Sequence, residues 1–187
     1  MTGAVAAPAD VLTFWRTAGP DKWFAKDDAF DAAIRDKFLA TYEAAAAGRL
    51  GPWEQTADGA LALVITLDQF PRNMFRGMPQ AFTTDALARE AANSLIQAGF
   101  DQKLLPVERS FIYMPFMHSE TLTDQHDSVL LFQQLAQERD YLNSVTYAVR
   151  HRHIIERFGR FPHRNPILGR PSTPEETEFL TQPGPSF

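Results

Sequence analysis

Residues 28–47 read DAFDAAIRDKFLATYEAAAA, and Phe30, Ile34, Phe38, Tyr42 and Ala46 recur at every fourth position. That spacing keeps successive side chains on one face of a 3.6-residue helix, so the stretch predicts an amphipathic α-helix with its apolar stripe turned to a core. Gly48 stands where a helix stop belongs. The same period recurs outward in both directions. A short helix is predicted over 9–17, ending at Gly19-Pro20. Thr56 and Asp58 cap an apolar helix through Leu61, Val64, Ile65 and Leu67, which Pro71 closes or kinks. Thr83-Thr84-Asp85 opens another, with Leu87, Ala91, Leu95 and Ala98 inward and Gly99 beyond its end. Pro106 heads a fifth, carrying Phe111, Met114 and Met117 and bent by Pro115. Thr123-Asp124 starts a sixth, with Val129, Phe132 and Leu135 on one face, and 143–158 forms a seventh with Tyr147, His151, Ile154 and Phe158 inward. After an irregular basic segment, 159–171, the string Thr173-Pro174-Glu175-Glu176 has the form of a capping box and begins a short last helix. Val and Ile total only 14 residues and no stretch alternates over five positions, so a sheet is not expected. The prediction is one all-α domain over 1–187, of seven to eight helices, with its ordered core about 9–181.

Composition narrows the function classes. The chain has 187 residues and 21.0 kDa, the size of one domain. Leu, Ile, Val and Phe make up 46 of them, enough for a core, which excludes a disordered protein. No apolar run approaches the ~20 residues of a membrane span, so no membrane partner is expected. Cysteine is absent, which removes disulfides, thiolate metal sites and Cys nucleophiles. Residues 1–15 contain no Lys or Arg, unlike a signal peptide, and a cytoplasmic soluble protein is expected. The net charge of −5 argues against a nucleic-acid partner. Yet Arg outnumbers Lys 14 to 4, and residues 148–172 hold six Arg against the single acid Glu156.

Four segments carry more polar groups than their apolar settings need. In 67–77, Asp68, Gln69, Arg72, Asn73 and Arg76 crowd the end of the most apolar helix. They read either as satisfied helix-end groups or as a cleft wall on which Asp68 orients an arginine toward a ligand. In 110–120, His118 and Glu120 follow a Pro-bent helix. They read as an acid–base pair, as metal ligands, or as residues of a turn and a helix cap. In 150–160, His151 falls on the apolar stripe as a core histidine, and neither a zincin motif nor a paired di-iron motif occurs, so no metal site is expected. In 158–170, Arg160, His163, Arg164 and Asn165 lie between Gly and Pro in a loop rich in Phe, Ile and Leu. Such residues satisfy a buried loop's own backbone or form a preorganised anion receptor. No phosphate-binding Gly-rich loop, nucleophile elbow or dinucleotide fingerprint is present.

The strings AspGlnPheProArgAsn, TyrMetProPheMetHisSerGlu and ArgPheGlyArgPheProHisArgAsn, with the late GlyArgProSerThrProGluGlu, resemble the bacterial domain-of-unknown-function family 924. The N-terminal ValLeuThrPheTrp and the TrpPhe at 23–24 fit as well, so the likeness spans about 9–181. It implies an all-α, tetratricopeptide-like fold of antiparallel helix pairs. It assigns no reaction, no cofactor and no catalytic residue.

Two functions follow. In the first, a cleft gathers Asp68, Arg72, Asn73, Arg76, Arg109, Arg160, His163, Arg164 and Asn165 and binds a small anionic molecule bearing phosphate or carboxylate, with His118 and Glu120 as an acid–base pair if it is an enzyme. Arg160 and Arg164 are the expected open forks, while Asp68 and Glu120 are expected to pair with other arginines of the basic segment. In the second, a tetratricopeptide-like scaffold binds a peptide or protein, and the Arg cluster is structural.

Overall fold

The computed structural model describes residues 3–138 and 142–182. Of the expected ordered core, 139–141 lie outside the described residues, as do 1–2 and 183–187. The described residues are all-α, with no strand among them. The helices are α1 (Pro8–Ala18), α2 (Asp28–Ala46), α3 (Ala57–Val64), α4 (Phe70–Met74), α5 (Asp85–Gln97), α6 (Pro106–Met117), α7 (Leu122–Glu138), α8 (Leu142–Phe158) and α9 (Pro174–Leu180). Single helical turns stand at Pro20–Trp23 and Asn165–Leu168. The count exceeds the seven or eight expected because proline-headed turns add short helices and because the apolar helix is split in two.

That split has a visible cause. Between α3 and α4 the chain widens into a π turn, Ile65–Gln69, where the Phe70 N–H reaches back to the Ile65 carbonyl. Pro71 has no N–H to offer the Leu67 carbonyl one turn earlier, so a regular helix would leave that buried oxygen short of its donor. The Thr84 hydroxyl supplies it at 2.6 Å, and Arg72 Nη1 donates to the next carbonyl, Asp68 O, at 2.7 Å. Pro71 therefore neither closes nor simply kinks the helix; it re-registers it. Thr84→Val removes the substitute donor while keeping the shape, and is expected to lower stability by about 1–3 kcal/mol in urea denaturation.

The chain divides into two compact units, Met1–Arg76 with Gln80–Pro115, and Gly77–Pro79 with Phe116–Phe187. In the first, α3 packs on α1 and α5, and α2 packs on α4. Residues 59–64 of α3 are all buried, so this helix forms the unit's axis. Trp15 lies within 5.5–6.1 Å of the rings of Trp23, Phe30, Phe70 and Phe111. The expected stripe of α5 is corrected by the packing. Ala88, Ala91, Ala92 and Leu95 are buried, whereas Leu87 and Ala98 are exposed, because small alanines let the helix approach closely on a face turned from the one Leu87 suggested.

In the second unit α7 packs along α8. Val129, Phe132 and Leu135 of α7 are buried, as are Ala148, His151, Ile154 and Ile155 of α8. Tyr147, expected inward, is exposed with the Arg150 guanidinium over its ring, and Ala148 takes the inward place. Gly159, at φ +67°, ends α8 in a left-handed turn that brings Phe161 into the core. The basic segment is less irregular than expected, with a 3₁₀ turn at Pro162–Arg164 running into Asn165–Leu168. Thr173 caps α9 as its sequence predicts: its hydroxyl accepts from the Glu176 N–H, and Glu176 accepts from the Thr173 N–H.

Candidate functional site

In the first unit the polar string after α3 is a closed network. Arg72 forks onto the two oxygens of Asp85 at 2.9 and 3.1 Å and lies 3.3 Å from Asp68, which also accepts from Gln69. Arg76 forks onto Asp31 at 2.7 and 2.9 Å, and Asn73 donates to the same carboxylate at 2.7 Å. Asp31 sits on α2 and Asp85 opens α5, so the string fastens α4 to both helices. Asp68, expected to neutralise the basic segment, is bound instead to its own neighbours Gln69 and Arg72. Arg109, on α6, donates to Gln102 at 3.3 Å, beside Asp101 and Tyr113. Burial first, and then the hydrogen bond to Asp101, push the Tyr113 phenol well above its usual range. An open groove in this unit, lined by Thr13, Phe14, Thr17, Lys22, Phe30 and Lys37, contains none of the motif residues.

The second unit gathers the other three motifs. Arg160 forks onto Glu176 at 2.6 and 2.8 Å and donates to the Pro171 carbonyl. Arg170 forks onto Glu120 at 2.7 and 3.0 Å and also holds Asn165 Oδ1. Asn165 in turn donates to Glu176. A chain of charge-assisted bonds thus runs Glu120, Arg170, Asn165, Glu176, Arg160 and clasps the basic loop to the N-terminus of α9. Arg160, expected to be an open fork, is closed, because the capping carboxylate of α9 reaches it. Glu120 pairs with an arginine as expected, namely Arg170, and also accepts from the Phe161 N–H at 2.8 Å. Desolvation alone would raise its pKa, but Arg170, that N–H and the Arg164 charge outweigh it and hold the carboxyl below its usual range. Glu120 is therefore a committed anion and a poor proton carrier for His118.

What remains is a cluster around the buried ring of Phe161. The Arg164 guanidinium lies 4.6 Å from the ring centroid and donates to the His118 carbonyl at 3.0 Å. The imidazoles of His151 and His163 each lie 5.6 Å from the same centroid. Gln125, wholly buried on α7, fixes the backbone on both sides of His118 by donating to the carbonyls of Met117 and Ser119 at 2.7 and 2.6 Å. His151 Nδ1 lies 2.8 Å from the Tyr147 carbonyl, which makes that nitrogen the protonated one. His163 Nδ1 is buried and has no hydrogen-bond partner. Burial first, and then the charges of the neighbouring Arg164 and histidines, push His151 down to about 3 and His163 to about 4, with Glu120 opposing the effect at His163.

Both imidazoles are thus neutral at pH 7, and the cluster presents nitrogen donors and one guanidinium against an aromatic face. Among the described residues no group of three His, Asp or Glu is placed to hold a metal ion. Nor is any helix among them long and apolar enough to cross a membrane. Sequence reasoning named His118, His163 and Arg164 but placed His151 in the core only, and it missed Gln125.

No curated protein matches the chain. A solved structure of a protein of unknown function from Agrobacterium tumefaciens is 46% identical, with a TM-score of 0.88 over 93% of this chain and 96% of that one. The family described as bacterial protein of unknown function (DUF924) matches residues 11–184. The motif strings, the all-α architecture and that match agree, and the chain belongs to the DUF924 family.

Proposed function

We propose that the protein binds a small anionic molecule, bearing a carboxylate or phosphate, at the Phe161 cluster of its second unit. The observation that carries this reading is the convergence of His151, His163 and Arg164 about one buried ring, beside the His118 carbonyl that Arg164 holds, with a buried imidazole nitrogen that has no protein partner. Buried polar nitrogens are almost always hydrogen-bonded, and an exception in a cluster of cationic and donor groups suits an acceptor brought by a ligand. The neighbouring clasp supports the same reading. By joining Arg160, Arg170, Glu120 and Glu176 to each other, it fixes the loop that carries His163 and Arg164. In the first unit Arg72 is spent on Asp68 and Asp85, and Arg76 on Asp31.

A thermal-shift screen of phosphorylated and carboxylated metabolites tests the proposal. A ligand present at ~100 times its dissociation constant stabilises by about 2.7 kcal/mol, a readily measured shift. Arg164→Gln is expected to abolish that stabilisation, whereas Arg76→Gln in the other unit leaves it intact. Stabilisation that survives Arg164→Gln, or no stabilisation by any anion, overturns the reading.

A further inference from the structure

We infer that anion capture at the Phe161 cluster is coupled to uptake of one proton from solvent onto His163, so that the site binds more tightly as pH falls. The inference rests on the anion-binding reading above and adds its regulation. A neutral imidazole carries one N–H, while an imidazolium carries two. His151 has its Nδ1 engaged by the Tyr147 carbonyl, so its protonated nitrogen is already assigned. His163 differs, because its Nδ1 is buried with no partner. An anion seated against that nitrogen gives an N–H there an acceptor. It also adds negative charge to surroundings in which Arg164 and Arg170 oppose Glu120.

Those surroundings are specific. Arg164 lies beside His163 on the same turn, and Arg170 follows on the clasp. His118 approaches from the end of α6, and His151 from α8 shares the Phe161 ring. Glu120 is the acid acting on His163, and its charge is shared with Arg170 and Arg164. Before an anion arrives, burial and these cations keep the ring neutral. After it arrives, the anion's charge favours the imidazolium. Proton and anion then bind cooperatively, and each strengthens the other by the same factor.

Sulfate is the right probe, since it has no protonation of its own in this pH range and any proton taken up must go to the protein. Calorimetric titration at pH 6 in two buffers of unlike ionisation enthalpy is expected to show close to one proton absorbed per sulfate. The affinity is expected to fall up to tenfold for each pH unit above pH 5. The imidazole nitrogen shifts of His163, followed by NMR, should move to the doubly protonated position on adding sulfate. His163→Gln should still bind through Arg164, with no proton uptake and a flat pH profile. His163→Asn serves if the glutamine variant does not fold. Sulfate binding with no proton uptake, or uptake that persists in both variants, overturns this inference and leaves the anion site standing. Absence of binding by sulfate and by inorganic phosphate between pH 5 and 8 overturns both.

Discussion

Trp15→Ala is expected to destabilise the protein by about 3–5 kcal/mol, the range for removing a large buried aromatic ring. Trp15 is 1% exposed and meets four aromatic rings from separate parts of the first unit: Trp23 of the turn after α1, Phe30 of α2, Phe70 of α4 and Phe111 of α6. The contacts with Phe70 and Phe111 are edge-on, at interplanar angles of 63° and 77°, which suits the ring quadrupoles and adds to the area buried. Its carbonyl also accepts from the Trp23 indole at 2.7 Å, so the turn after α1 is anchored through the same residue. Truncation leaves a cavity bounded by rings held on different helices, which cannot all collapse into it. Urea denaturation followed by circular dichroism reads the loss. Trp15→Phe keeps most of the volume and is expected to recover more than half of the stability. A loss below 1 kcal/mol for the alanine variant would show that the hub is not what holds these helices.

How far these features were legible in the sequence depends on the range of the interaction. The helices were legible because a fourth-residue stripe is a local signal. α2 runs within a residue of its predicted ends, and the capping box at Thr173 stands as read. The π turn was not, because its cause is split between Pro71 and a hydroxyl at Thr84 that no local pattern links. The candidate site shows the same division. Arg160 was read as an open fork for a ligand's anion, but it is closed on Glu176, which the sequence displayed only as a helix-capping residue. One carboxylate there serves the cap, Arg160 and Asn165 at once, and nothing at a spacing of 16 residues announces that. Tyr147 and Leu87 were placed inward on helical spacing, and alanines beside them took those positions, since close helix approach favours the small side chain.

Lowering the pH from 7 to 5 is expected to destabilise the second unit before Glu176 titrates. His151 is 6% exposed and burial holds it at about 3, against 6.5 for the free side chain. Between those values the unfolded chain binds a proton that the native state does not. Stability is therefore at its full value above about pH 6.5 and is lost as pH falls, by about 1.4 kcal/mol for each unit. From pH 6.5 to 5 that is about 2 kcal/mol from His151 alone. His163, held at about 4 by burial and by Arg164, acts in the same direction. Glu176 titrates later. Its hydrogen bonds from Arg160 hold it at about 2, so the support it gives is present above about pH 4.5 and disappears only as pH falls toward 2. The His151 loss thus sets in below about pH 6.5 and the Glu176 loss only below about pH 4.5, so the two causes separate on the pH axis. Denaturant midpoints for wild type and His151→Phe at pH 7 and pH 5 make the comparison. The phenylalanine variant gives up the hydrogen bond to the Tyr147 carbonyl at both pH values, so its absolute stability is not the readout. Its pH 7 to pH 5 difference should be smaller than that of wild type by about 2 kcal/mol. An unchanged difference would mean that His151 takes up its proton as readily in the folded protein as in the unfolded chain, and the cluster around Phe161 would then carry a positive charge at that ring at pH 5.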